Sequence, residues 1–240
     1  RDLRMSRGLG DVYKRQELQQ VSGIMLIKYL CGAGYYSESL EYYNKIKPEI
    51  AFNPSMQNEV VKSYMELNKP DSARIYLAAR LLSERGDKIV LNCMMAETYI
   101  PEGQEDSAFV FLDRAMKSYK EKAKNYQKQG REAILPNCFL SPCYLFADLL
   151  WKKGKIQQAS QYYMIVEPLM KERVKTPVRM ELQIKALTNF SSFCRETKQY
   201  EKALDLLARR DSVLQTYLEF KAKNDKKNYA ERLKIQELKH

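Results

Sequence analysis

The side chains that do most enzyme chemistry at neutral pH are scarce in this chain. Of 240 residues one is a histidine, and it is the last, His240. Ser-His-Asp and Cys-His nucleophile systems, histidine metal triads and imidazole proton shuttles all need an imidazole held among other groups, so each lacks its base. The five cysteines, Cys31, Cys93, Cys138, Cys143 and Cys194, make no C-x-x-C pair, which argues against a zinc or redox motif. An odd, sparse set of this kind does not describe a disulfide framework either. Cys138 and Cys143 straddle Pro142 and are open to a disulfide in an extracytoplasmic chain, while the others read as small apolar core residues. The adjacent carboxylates Glu105 and Asp106 fall at an expected helix start, where they complement the helix dipole rather than form an acid–base pair. The expectation is therefore a non-enzyme, with no catalytic, cofactor or metal residues.

Basic residues interleaved with aromatics can bind single-stranded nucleic acid, and the chain has 41 Lys+Arg against 30 Asp+Glu together with 17 tyrosines. Position decides against that reading. Residues 1–16 hold five basic and two acidic side chains, residues 117–132 six and two, and residues 216–240 seven and four, so almost all of the formal +11 sits outside the rest of the chain. The remainder carries about +1, too little for the continuous basic stripe that phosphate contacts require. Tyr35, Tyr36, Tyr42, Tyr43, Tyr162 and Tyr163 fall on or beside a helical core frame, where packing needs large residues. No nucleic acid is expected as a partner.

The elements that position these residues follow from periodicity. At 45% apolar residues with nine glycines and eight prolines the composition is globular. No apolar run approaches the length of a membrane span, the closest, from Cys138 to Trp151, being broken by Ser141, Pro142 and Asp148. No stretch alternates with period two over strand length. Ser55 after Pro54, Ser141 before Pro142 and Thr176 before Pro177 read as helix starts, and Gly32, Gly34, Gly103 and Gly154 as turns. A repeat is present as well. GYYSESLEYYNKI from Gly34 aligns with KGKIQQASQYYMIV from Lys153, placing Gly34 on Gly154, Ser39 on Ala159 and Tyr43 on Tyr163. The frame also fits segments centred on Ala73, Ala108 and Ala203, giving small-residue positions spaced by 34, 35, 51 and 44 residues, each preceded five residues earlier by Gly or a polar side chain. Upstream of each, a second position holds Ile27, Val61, Ala96, Ala147 and Ser191, with Leu30, Tyr64, Tyr99, Leu150 and Cys194 three residues on.

These segments resemble the second helices of tetratricopeptide repeats, over roughly residues 18 to 215, although the consensus tryptophan position is aromatic in none of them. The resemblance implies an all-α solenoid of about five helix pairs with a C-terminal helical extension. The boundaries expected are a non-native or disordered leader at 1–16, an array at 17–215 with an insertion near 117–136, and a basic, truncated helical extension at 216–240. Within the leader, Arg7 to Gln16 resembles translated sequencing-adapter read-through. The insertion reads as a solvated extension of the third repeat's second helix.

The resemblance also implies a ligand surface on the concave face formed by first helices. The candidate residues there are Lys28, Asn58, Lys62, Glu97, Tyr144, Asp148, Trp151 and Arg195. Chaperone-binding relatives grip a terminal carboxylate with Lys and Asn in the first repeat. This chain has Ile24 and Lys28 at those places, so that clamp is missing. Trp151, Tyr144 and Lys62 are candidate peptide anchors, against the alternative that Trp151 packs at a repeat junction. The run from Tyr200 to Gln215 and the unbroken helix after it are similar to the end of the repeat region in bacterial membrane-anchored regulators with histidine-kinase or helix-turn-helix output. The expected partner is thus a protein or peptide segment, with any membrane contact made through segments outside this chain. A free cytoplasmic adaptor and, behind it, a nucleic-acid-binding helical repeat are the alternatives. Five reduced-looking cysteines point to the cytoplasm and the regulator resemblance to the periplasm, and the latter carries more weight.

Overall fold

The computed structural model describes residues 21–50, 56–83 and 87–237, with side chains described to 46 and to 223 at the ends of two of these stretches. The leader and Ser55 lie outside them. The described residues fold into ten α-helices and a short 3-10 turn: α1 (21–32), α2 (Tyr36–Ile50), α3 (Gln57–Glu66), α4 (Pro70–Leu82), α5 (Lys88–Tyr99), α6 (Glu105–Lys128), the turn Asn137–Phe139, α7 (Leu140–Lys152), α8 (Ile156–Lys171), α9 (Pro177–Glu196) and α10 (Tyr200–Glu237). Odd and even helices form five antiparallel pairs. First helices also touch one another, α5 with α7 and α7 with α9.

One turn geometry builds all five pairs. The residue five before each small position has positive φ: 86° at Gly34, 54° at Asn68, 68° at Gly103, 75° at Gly154 and 60° at Lys198. At each, the next residue's N–H reaches back to the carbonyl five residues earlier, as from Tyr35 to Leu30 and from Lys155 to Leu150, both at 2.9 Å, and from Gln199 to Cys194 at 2.8 Å. The left-handed residue itself donates three residues back, from Gly154 to Trp151 at 2.8 Å and from Lys198 to Arg195 at 3.2 Å. This paired pattern satisfies the last carbonyls of the first helix and aims the chain into the second. The requirement for Gly or a polar residue there is thus a backbone requirement. Glycine adopts it freely and asparagine cheaply, whereas lysine pays about 1–2 kcal/mol. Lys198→Gly is accordingly expected to raise stability by about 1 kcal/mol. Gly154→Ala, where a Cβ would meet nothing within 4 Å, should lower it by a similar amount. Urea unfolding of both variants with unchanged slope checks the pair.

The small positions allow the two helices of a pair to approach. Ser39, Ala73, Ala108, Ala159 and Ala203 are all at most 5% exposed, as are Ile27, Val61, Ala96, Ala147 and Ser191 on the facing helices. In the first pair Ser39 Oγ donates to the Ile27 carbonyl at 3.2 Å, which is how a hydroxyl is tolerated where alanine stands elsewhere. A core runs continuously through the last three pairs, with Phe139, Phe146, Tyr163, Phe190 and Phe193 as its largest members. Two smaller clusters continue it through the first pairs, sharing Tyr64 and Tyr76. Each pair lacks the area to bury its own apolar stripe, so stacking supplies the core.

Two local expectations shift. Thr176 stands at the N-cap of α9 with Pro177 at the first helical position, but its side chain makes no capping bond. Ser141 does not begin α7. The 3-10 turn starts the helical path earlier and seats Phe139 and Leu140 in the core, leaving Ser141 inside the first turn of α7. Burial of two large side chains outweighs a local capping preference. The third pair's second helix is long: α6 runs for 24 residues to Lys128, and the chain turns just beyond it at Gly130, with φ of 68°. Lys117, Lys120, Lys122, Lys124 and Lys128 are exposed along it. The return segment is held to α6 by Tyr119, whose hydroxyl donates to the Ala133 carbonyl at 3.2 Å and whose ring meets Phe139 edge-on at 5.9 Å.

No break separates array from extension. α10 leaves α9 near Tyr217, whose hydroxyl donates to Glu181, and continues with Leu218 and Phe220 exposed. No helix among the described residues is long and apolar enough to cross a membrane.

Candidate functional site

The face made by the first helices carries the candidate residues, and they divide into three groups. Lys28 on α1, Asn58 and Lys62 on α3, and Arg195 at the end of α9 are exposed. The Lys62 ammonium lies 5.9 Å from the centre of the Tyr36 ring, a contact worth little at an exposed site. Trp151 belongs to the packing. Its indole stands edge-on to Phe193 with centroids 5.7 Å apart, joining α7 to α9 at the junction of the fourth and fifth pairs. Trp151 is half-buried, whereas Tyr144 is 5% exposed, its ring part of the core.

The third group is central. Burial pushes the Tyr144 phenol up to about 12, and the charges of Glu97 on α5 and Asp148 on α7 add to the shift. Asp148 pairs with Lys152 one turn on, at 2.8 Å, and the lysine is largely in water. Glu97 has no such partner: no lysine or arginine forms a salt bridge with it among the described residues. Its carboxyl takes a hydrogen bond from the Ser141 hydroxyl across the α5–α7 seam, and burial drives its pKa up to about 7. The Cys93, Cys138 and Cys143 thiols and Tyr144 complete its surroundings.

A carboxylic acid with a folded pKa near 7 and an unfolded value near 4.5 binds more protons in the folded state between those limits. Its contribution favours folding most below about pH 4.5 and is lost as pH rises through about 7. Glu97→Gln is expected to remove that loss. The difference in melting temperature, variant minus wild type, should therefore grow more positive from pH 5.5 to pH 8, and an unchanged difference would mean that the carboxyl is not held in this way.

Three features escaped sequence reasoning. Ser141, a helix start by its spacing, instead stands in the first turn of α7 and partners Glu97. Gln183, 1% exposed on α9, turns its amide onto the end of α8, donating to the Met170 and Glu172 carbonyls at 2.6 and 3.0 Å. It borders a cleft of about 370 Å³ between the α8–α9 turn and α10, lined also by Met180, Arg209, Ser212 and Thr216. Nothing in the spacing distinguishes this glutamine from an exposed one. The junction between the second and third pairs is held by Arg74 on α4, which reaches the Thr98 carbonyl at 2.6 Å, Glu102 and, at 4.0 Å, the face of Tyr99. Only its place one residue after the small position of its repeat could have flagged it.

Among the described residues no cluster of three or more His, Cys, Asp or Glu side chains has the arrangement of a metal site. The five cysteines are free thiols, so Cys138 and Cys143 are not bridged.

Comparison with known proteins bears on the fold. A tetratricopeptide repeat model matches residues 140–164, which is α7 and the first half of α8. The chain superposes on the nearly identical TPR-like repeats of a putative kinesin light chain from Podosopora anserina with a TM-score of 0.52 at 15% identity, covering 84% of this chain and 97% of that one. A second structure of those repeats gives 0.50 at 16% identity, with 82% and 95% covered. No curated protein matches the sequence. The fold is an all-α solenoid of tetratricopeptide-like helix pairs with a helical extension at its C-terminal end.

Proposed function

We propose that this tetratricopeptide-like solenoid is a non-catalytic scaffold that holds a peptide or protein segment along its first-helix face, with a basic side chain of the partner seated at Glu97 and Asp148. Glu97 is the observation that carries the reading. A carboxyl group facing another repeat's hydroxyl, short of solvent and without a cation, is destabilised as an anion, and a ligand ammonium or guanidinium in a charge-assisted hydrogen bond is what would stabilise it. The exposed Lys28, Lys62 and Arg195 towards the two ends of the face favour acidic residues flanking that central basic one. Scaffolding by repeats needs no histidine or metal, in keeping with His240 as the lone imidazole.

Panning a random peptide library displayed on phage against the full chain tests this. Enrichment of sequences with a Lys or Arg between acidic residues supports the reading, whereas no enrichment, or enrichment of purely acidic or apolar sequences, removes it.

On the same reading the array, residues 17–215, is the ligand-receiving part of a bacterial membrane-anchored regulator, on the periplasmic side, and residues 216–240 carry the helix onward. What supports this is α10, a single helix from Tyr200 to Glu237 that outlasts its packing partner α9. Reading the gene past the codon for His240 decides it: a membrane span followed by a kinase or helix-turn-helix domain agrees, and a stop codon with no span contradicts it.

A further inference from the structure

The last helix pair leaves a cleft of about 370 Å³ where the α8–α9 turn meets α10. The buried end of its lining is Met170, Met180 and Gln183, each at most 4% exposed, and Val213 of α10, half-buried, continues it. Gln183 fixes one wall, its amide nitrogen donating to the Leu169, Met170 and Glu172 carbonyls at 3.3, 2.6 and 3.0 Å. The other half of that amide is unused: Oε1 is buried and takes no hydrogen bond among the described residues. A buried acceptor in this state is unfavourable until a donor reaches it. The outer lining leaves charge of one sign uncompensated. Glu172 is paired with Arg179 at 3.3 Å and Lys171 with Glu167 at 3.0 Å. Arg209 uses only Nε, on Asp205 at 3.0 Å, and its two terminal nitrogens bond nothing among the described residues. Arg173, exposed on the turn, forms no ion pair among them. Guanidinium groups with unused forked donors match a carboxylate, and two methionine thioethers behind them match an apolar, preferably aromatic, body.

We propose that this cleft binds a small organic acid. Arg209 and Arg173 take its carboxylate, Met170, Met180 and Val213 pack on its apolar body, and a hydroxyl at its far end donates to Gln183 Oε1. Arg209 and Val213 belong to α10, whereas Met170 and Gln183 belong to α8 and α9, so a bound molecule ties the long last helix to the array. None of the first-helix candidate residues lines the cleft, and the site stands whether or not the peptide-binding reading does.

The test is an NMR titration of the full chain, carrying methyl-labelled methionine, with para-hydroxyphenylpropionate, whose carboxylate and hydroxyl stand at opposite ends of an aromatic body. The Met170 and Met180 signals, assigned with Met170→Leu and Met180→Leu, should move together along a saturable curve with a dissociation constant on the order of 1 mM, ordinary for a ligand of this size. Phenylpropionate, which lacks the hydroxyl, and the primary amide of the probe, which lacks the charge, should each bind about fivefold or more weakly. Arg209→Gln should weaken binding of the acid by a similar factor and leave binding of the amide unchanged, a split that a loss of folding does not produce. Absence of saturable movement in the two signals, equal affinity for either analogue, or parallel movement of Met25 on α1 overturns the proposal. The wild-type titrations alone decide between these outcomes, so a variant that fails to fold does not shelter it.

Discussion

Phe193→Ala is expected to lower the stability of the array by about 3–5 kcal/mol, enough to leave its last two pairs largely unfolded at 37 °C. Phe193 has no exposed surface and stands where three helices meet. Its ring lies 5.7 Å from Trp151 on α7, 5.1 Å from Tyr163 on α8 and 6.4 Å from Phe190 on its own helix. Removing it leaves a void bounded by aromatic faces that cannot collapse, because Tyr163 is already stacked on Phe190 at 4.6 Å. Stability in a solenoid is nearly a sum of repeats and their interfaces, so the loss should stay local. Hydrogen exchange is expected to accelerate in α7 to α10 and to change little in α1 to α4. Tyr163→Phe is the matched contrast. The Tyr163 hydroxyl is buried with no hydrogen-bond partner among the described residues, so deleting it should be neutral or stabilising by about 1 kcal/mol.

Arg74→Ala carries the second large effect, about 2–3 kcal/mol, by a different route. The Arg74 side chain, 13% exposed, crosses from the second pair to the third. There it bonds the Thr98 carbonyl and hydroxyl at the end of α5, pairs with Glu102 and sits over the Tyr99 ring at 4.0 Å, while another of its nitrogens pairs with Asp71 on its own helix. A guanidinium satisfies a helix end, a carboxylate and an aromatic face at once because its donors are planar and forked. Arg74→Lys keeps the charge but neither the fork nor the plane, and should recover less than half of the loss. Equal losses in the lysine and alanine variants would show that geometry carries the junction, while full recovery by lysine would reduce it to simple charge. Urea midpoints for the three proteins distinguish these results. At the next junction Glu105, 15% exposed, pairs with Lys153 and Lys155, whose side chains are 40% and 46% exposed, and truncating either lysine alone should cost under about 1 kcal/mol.

The helix pairs were legible because one backbone constraint recurs. Five left-handed residues, each five before a small one, leave a mark that survives even where Lys198 replaces glycine. The small positions were legible for a similar reason, since closely packed helices restrict volume regardless of partner. The site was legible only in part. Counting along first helices placed Glu97 and Asp148 together with Tyr144, but the same count could not tell that the Tyr144 ring is buried or that Trp151 is taken up by Phe193. Those depend on how α7 meets α9, and repeat spacing says nothing about rotation between pairs. Ser141 does not start α7 because local capping preference competes with burial of Phe139 and Leu140, and burial is worth several times more.

The central claim, that Glu97 receives a basic side chain of a bound segment, has a direct test. The dissociation constant of a library-selected, histidine-free peptide is measured at pH 6 and pH 8 with wild-type chain and with Glu97→Gln. A carboxyl with a pKa of about 7 is mostly neutral at the lower pH and mostly ionised at the higher, so wild-type binding is expected to tighten about tenfold between them. The variant should bind about tenfold or more weakly than wild type at pH 8 and show little dependence on pH. Equal affinities for the two proteins at both pH values would contradict the account.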